Sequence, residues 1–443
     1  KAIIPIYFGY DWYQNTHEGN TGFICAGPYN SMMTAMNSVP PARDPKGRWL
    51  KVWDEHLENN SPWGIPWMDN ESDNEMWREG SIKHDIEKVE CATYIIGSWH
   101  DVFVSDPLKT YMNLNPKTPK KLLMGPYLHI APIIGVPGPK IDHLHESLRW
   151  FDRWLKNIDT GIENEPPITI FVRKFDPPTI RRDVTTGFWR NELEWPLKRS
   201  IEKRLYLHPK GLLGSSPIDF DQTDDNDFYT YDPAVGYTTM GLLTGFGADL
   251  GLPIDQRPDE SKSLVYTSDS LENDLEVTGF PRAILYVSST TDITRFVAKL
   301  CDVTTDGTSS LVSKASINMA YRDSNSNPSL IKPGEIYKIE LELEPMSYIF
   351  EKGHRIRISI ASSDFPRIIP TPKNCVNNIY RSKTEQSQII LPTIQSQNNE
   401  IEKPNFLDPP DTSFIYYPGP VEPTEWRVKE DVVNGYHIIE IKK

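Results

Sequence analysis

The stretch VECATYII (Val89 to Ile96), GSWHDVF (Gly97 to Phe103), then KLLM (Lys121 to Met124) and GPYLH (Gly125 to His129) decides the fold. Both apolar runs are short and end at a glycine, the pattern of strands buried on both faces. A helical stretch from about Val102 to Leu114 separates them, so the pair reads as parallel strands with a crossover helix. KAIIPI (Lys1 to Ile6) reads as one more short, fully buried strand. Residues 1–195 are therefore expected to form an α/β domain.

Between the first two strands lies an insertion, about residues 11–87, that is too long for a crossover and carries Trp12, Trp49, Trp53, Trp63, Trp67 and Trp77. Helical segments such as Trp49 to Glu58 make it a helical cap. Its tryptophans serve either to hold a small subdomain together or to line an apolar pocket. Farther on, Leu148, Phe151, Leu155 and Ile158 recur at spacings of three and four, which predicts a helix over 145–158 packed on the sheet through that stripe and stopped by Gly161. Beyond Trp195 the period changes to two: 204–207, 263–266, 283–287, 296–303, 336–343 and 355–360 read as strands between Gly, Asn, Asp and Pro loops. Residues 196–443 are expected to form an all-β sandwich, of which a jelly roll is one form.

Composition narrows the function. A chain of 443 residues exceeds one ordinary core, and a net charge of -14 repels polyanions, so nucleic acid is not an expected partner. No run approaches the ~18 apolar residues of a membrane helix. The chain reads as a soluble protein, cytoplasmic or secreted, and a homo-oligomer is left open. Cys25, Cys91, Cys301 and Cys375 show no metal or redox spacing and read as buried thiols. The pair His143 and His145 and the acidic run Asp221 to Asp227 have the residue types of metal ligands, but no partner ligands recur near the histidines and a solvated loop is the better reading of the acidic run. No cofactor or metal is expected.

Asp101 and His129 stand just beyond the two strands, 28 residues apart. In α/β-hydrolases the acid and base of a catalytic triad occupy such positions, the histidine moving the proton of a serine and the carboxylate orienting the imidazole. The residues alone also allow Asp101 as the N-cap of a helix starting at Val102, and His129 as a loop histidine.

The wording around these residues goes further. GSWHDVF (97–103), GPYLH (125–129) and LRWFDRWLK (148–156), followed by LENDLEVTG (271–279), FVAKL (296–300), GHRIR (353–357) and SSDFPR (362–367), resemble the motifs of the cocaine esterase and X-Pro dipeptidyl-peptidase family, in order and across nearly the whole chain. The resemblance implies the C-terminal part of an α/β-hydrolase sheet with a helical cap, followed by a jelly roll. It also implies Asp101 as triad acid, His129 as triad base, Phe103 facing the acyl pocket, and a small ester, amide or short peptide as substrate.

Two departures stand out. Arg295 occupies a position that is usually acidic in the family, and no Gly-x-Ser-x-Gly nucleophile elbow occurs in these residues. By the resemblance the elbow belongs some two dozen residues before Lys1, together with the oxyanion donors. An N-terminal hydrolase segment supplying the serine is therefore expected, as a longer precursor or a separate chain, and this chain alone is expected to be inactive. The alternative is a non-catalytic protein that binds a glycan or a protein, with a degenerate hydrolase half.

Overall fold

The computed structural model describes residues 1–17, 28–40, 46–62, 64–219, 225–239, 251–365, 367–395, 401–411, 425–431, 433–434 and 436–442. Cys25, Trp63 and Asp221 to Asp224 lie outside the described residues.

Strands β1 (Ala2–Ile3), β2 (Ala92–Ser98), β3 (Lys120–Gly125) and β4 (Ile168–Arg173) lie side by side in that order and are parallel; β5 (Gly187–Glu192) pairs antiparallel with β4. Alternate side chains of β2 and β3 feed two cores. Ile95, Leu122 and Met124 meet Leu108 and Tyr111 on one face, while Tyr94, Ile96 and Leu123 meet Trp150 on the other. A parallel sheet covered on both faces must read as continuous apolar runs, which is why these strands were visible in the sequence.

Three expectations need correction. The first strand is only two residues long, with an isolated bridge from Ile6 to Ile96. Ile3 is exposed rather than buried, β1 pairing among the described residues with β2 alone. The crossover helix begins at Asp106, not Val102, because Val102 to Ser105 form turns and Pro107 opens the helix, where its missing N–H costs nothing. The helix over 145–158 starts at His143, and its buried side chains are His143, Glu146 and Trp150. Of the predicted stripe, Leu148, Leu155 and Ile158 are exposed, and Phe151 is partly buried beside Trp150. The aliphatic stripe and the Trp150 face both obey helical spacing, and the broad indole, 5.5 Å from the Tyr94 ring, packs on the sheet. Asn157, in the left-handed conformation at φ 57°, ends this helix four residues before Gly161.

The insertion carries helices α1 (Trp12–His17), α2 (Pro28–Asn37), α3 (Trp49–Asn59), α4 (Gly64–Met68) and α5 (Glu75–Gly80). The two helices discussed above follow as α6 (Asp106–Asn113) and α7 (His143–Lys156).

The second half is a sandwich. Its strands continue as β6 (Ser200–His208), β7 (Leu212–Gly214), β8 (Asn226–Thr230), β9 (Leu264–Thr267), β10 (Leu275–Gly279), β11 (Arg282–Ser289) and β12 (Arg295–Val303). Then come β13 (Ser309–Asn318), β14 (Tyr337–Glu342), β15 (Met346–Phe350), β16 (Arg355–Ala361), β17 (Val376–Tyr380) and β18 (Gln388–Ile394). One antiparallel layer runs β9–β16–β12–β13, and the other is built around β11, paired with β14, β17 and β18. The buried inward residues of both, among them Val277, Leu285, Phe296, Leu300, Ile358 and Ile389, form one core. Each of the six predicted strands falls on an observed one, 204–207 covering only part of β6, but β4 and β5, before Trp195, and β7, β8, β10, β13, β15, β17 and β18 of the sandwich went unread. The C-terminal β19 (Glu425–Asp431) and β20 (Tyr436–Lys442) form a separate hairpin.

The two halves meet along a continuous seam. The end of β4 pairs with β15 at Arg173 and Tyr348. Close by, Arg190 of β5 makes a two-pronged ion pair with Glu276 of β10 at 2.6 and 2.9 Å. Both side chains are buried, so the geometry is tight and shielded from solvent.

Candidate active site

Strands β2 and β3 run in register, Ser98 opposite Gly125, so the residues after them emerge together. Trp99 N–H donates to Gly125 O at 2.9 Å and the Trp99 indole N–H to Phe171 O at 2.8 Å, fixing the turn that follows β2. Ser98 is fully buried and donates its hydroxyl to the carbonyls of Gly125 and Tyr127, so this serine ties the two turns together. A Cβ at Gly97 would strike Pro107 and Met124, which explains why β2 carries a glycine next to its last residue.

The two turns bring Asp101 and His129 together: Nδ1 of His129 lies 2.8 Å from Oδ1 of Asp101. The carboxylate is completely buried, whereas the imidazole is 18% exposed. Asp101 caps no helix, since α6 begins five residues later. Its Oδ2 is buried without a hydrogen-bond partner among the described residues. The imidazole sits between two rings, with Tyr7 at 5.3 Å and Phe103 at 5.8 Å. Tyr7 has a positive φ of 49°, an uncommon conformation for a bulky residue, and such strain gathers where a site requires it.

Phe103 also meets Trp12 edge-on at 5.8 Å, and Trp12 continues to Trp67 and Trp77. The cap tryptophans thus divide between the two roles open to them. Trp77 is buried against Tyr13 and His17 and holds the cap together, while Trp12 lines a cleft.

That cleft, about 440 Å³, lies between the halves and is lined by Trp12, Asp101 and Phe103 on one side and by Val312, Lys314 and Glu344 on the other. Asp106 lines it too, its Oδ1 accepting the backbone N–H of Tyr10 at 2.6 Å and the amide of Asn15 at 3.0 Å. Burial pushes its carboxyl up to about 7, against the lowering effect of those donors. Asp106 thereby anchors the entry of the cap to α6.

The other candidates did not converge. His143 is buried, its pKa lowered by burial, and the His145 N–H donates to the N-cap Asp142. No group of three potential metal ligands occurs among the described residues. Of the acidic run, Asp227 accepts from Tyr266 and Arg381 inside the sandwich. Cys301 and Cys375 are buried and Cys91 is partly so, all three free thiols. Arg295 donates to Ile369 O at 2.6 Å. No helix among the described residues is long and apolar enough to cross a membrane.

The sandwich motifs mark structural ion pairs. Lys299 of FVAKL reaches Asp364 of SSDFPR at 2.8 Å, and Asp364 also accepts from Arg367. His354 of GHRIR bonds Asp302 at 2.9 Å.

A search against protein-family models matches residues 1–131 to the X-Pro dipeptidyl-peptidase (S15 family) model and residues 160–406 to the X-Pro dipeptidyl-peptidase C-terminal non-catalytic domain. The chain belongs to the cocaine esterase and X-Pro dipeptidyl-peptidase family. Cocaine esterase from Rhodococcus sp. (strain MB1 Bresler) is 29% identical over 371 residues, covering 75% of this chain and 62% of that protein. The chain thus spans less than two thirds of the length of that relative. Among solved structures, an aminopeptidase from a marine sediment Thaumarchaeota archaeon aligns with a TM-score of 0.71 at 20% identity, covering 89% of this chain and 72% of the other. An α-amino acid ester hydrolase aligns at 0.63 and 19%, covering 88% and 70%. These two likenesses bear on the fold: an α/β-hydrolase sheet carrying a β-sandwich.

Proposed function

We propose that this family member supplies the acid and base of a serine hydrolase that cleaves an ester, amide or short peptide through an acyl-enzyme, the nucleophilic serine coming from outside these residues. The observation that carries the reading is the 2.8 Å contact between a buried carboxylate and a partly exposed imidazole, each just past the end of a parallel strand. With Nδ1–H directed at Asp101, Nε2 carries the lone pair that accepts the serine proton and later returns it to the leaving group. Asp101 fixes that tautomer and stabilises the imidazolium, an effect strengthened by burial. Phe103, packed against His129 and Trp12, forms one wall of the acyl pocket. The names of the relatives point to esters and to peptides with proline second.

A fluorophosphonate tests this reading on the natural protein, because it modifies only an activated serine. An adduct on a serine preceding Lys1, or on a co-purifying chain, is the expected outcome. Well-folded protein without an adduct would favour the non-catalytic binding protein.

A further inference from the structure

The cleft contains a positive charge that the protein leaves unmatched. Arg173, the last residue of β4, is 5% exposed and lines the cleft. No carboxylate lies within ion-pairing distance of its guanidinium among the described residues, and Nε has no hydrogen-bond partner. Its one carbonyl contact, from Nη2 to Val312 O, is long at 3.5 Å, and the guanidinium lies 5.7 Å from the Tyr348 ring. The nearby acids are engaged elsewhere. Asp176 pairs with Arg182 at 2.8 Å, Glu344 pairs with Lys314, and the Tyr348 hydroxyl is donated to Asp302 at 2.8 Å. Burial pushes the Arg173 guanidinium down to about 10, with Arg182 adding to the fall and Tyr348, Glu344 and Asp176 offsetting it only in part.

A second unmatched group lines the same cleft. His100, adjacent in sequence to Asp101, has its Nε2 out of contact with solvent and without a hydrogen-bond partner. Burial, with Arg173 and Arg182 nearby, holds its pKa well below the usual imidazole range, so the ring is neutral. A neutral imidazole donates one N–H without adding charge. Buried polar groups are nearly always paired, so these two unmatched nitrogens, beside the unmatched Oδ2 of Asp101 in the same cleft, indicate a missing acceptor.

Resting on the reading of this cleft as the substrate site, we propose that Arg173 and His100 form a subsite for a substrate carboxylate, so that the ester, amide or peptide cleaved carries an acid group away from its scissile carbonyl. One guanidinium and one imidazole N–H match the two oxygens and single charge of a carboxylate, and a cleft of about 440 Å³ admits a small acid. The sequence showed no sign of this beyond an arginine closing the apolar run ITIFV (168–172).

Calorimetric titration of the full chain with succinate and with its neutral isostere succinamide tests the subsite. Succinate is expected to bind at least about tenfold more tightly, and Arg173→Met or His100→Ala should remove that preference. Equal binding of the two ligands by wild type, or a preference that survives in folded Arg173→Met, would overturn the proposal. Should Arg173→Met fail to fold, the wild-type comparison and His100→Ala decide. Binding requires no serine, so a missing fluorophosphonate adduct leaves this result standing, and a catalytically competent protein indifferent to succinate loses only the subsite.

Discussion

At the residue scale the account rests on Asp101, whose side chain is fully buried beside His129. Replacing it with asparagine keeps the shape but allows the amide to face Nδ1 with a donor, selecting the wrong tautomer. Asp101→Asn in the protein that includes the serine is expected to lower kcat by roughly 10³- to 10⁴-fold with KM little changed, read from steady-state ester hydrolysis. Phe103→Ala removes a ring that touches both His129 and Trp12. Its effect should fall on the discrimination between short and long acyl groups in kcat/KM, by about 10- to 200-fold. The places of Asp101 and His129 just beyond two strand ends were legible in the sequence because the strands were visible, while their proposed roles, and that of Phe103, came from the family wording around them. Arg173 and Tyr7 were not legible. Their roles depend on what the fold leaves unpaired or strained around them, and that has no pattern in the chain.

At the scale of elements, the sequence identified where helices lie better than which way they face. Of the predicted stripe along α7 and just past it, Leu148, Leu155 and Ile158 are exposed and only Phe151 packs inward, while Trp150 makes the main contact with the sheet. In this chain Leu148→Gln is therefore expected to change stability by no more than about 0.5 kcal/mol, whereas Trp150→Ala should cost about 3–5 kcal/mol, both read by urea unfolding. The junction of the cap with α6 is pH-sensitive through Asp106. Its carboxyl, ordinarily at 3.8, is raised to about 7 in the fold, so the folded state holds the proton more tightly than the unfolded one. The stabilisation it gives is complete below about pH 4 and is lost as pH rises towards 7. Asp106→Asn keeps an oxygen to accept from Tyr10 and Asn15, and should flatten the decline of melting temperature across that interval. An unchanged pH profile in the variant would remove Asp106 from this role.

At the scale of the whole molecule, the two halves share one cleft, and buried ion pairs fix their geometry. The motifs FVAKL and SSDFPR were recognisable as wording, but what they do, joining Lys299 of β12 to Asp364 just past the neighbouring β16, needed the fold. Lys299→Met leaves Asp364 and Asp259 without their shared cation and is expected to destabilise the protein by about 3–5 kcal/mol, measured by denaturant unfolding. The α/β half and the sandwich half were foreseen from the change of hydrophobic period. Several strands of both halves were not, among them β4 and β5, which lie between a helix and the first clear alternation and carry charged or polar residues at their ends, Arg173 and Glu192.

The central claim is that His129 moves the proton in catalysis. It is tested most directly by turnover of an ester by the natural protein carrying His129→Ala, with thermal unfolding as control. The account predicts a loss of at least about 10³-fold in kcat with an unfolding transition like that of the wild type. Turnover at the wild-type rate by the folded variant would contradict it.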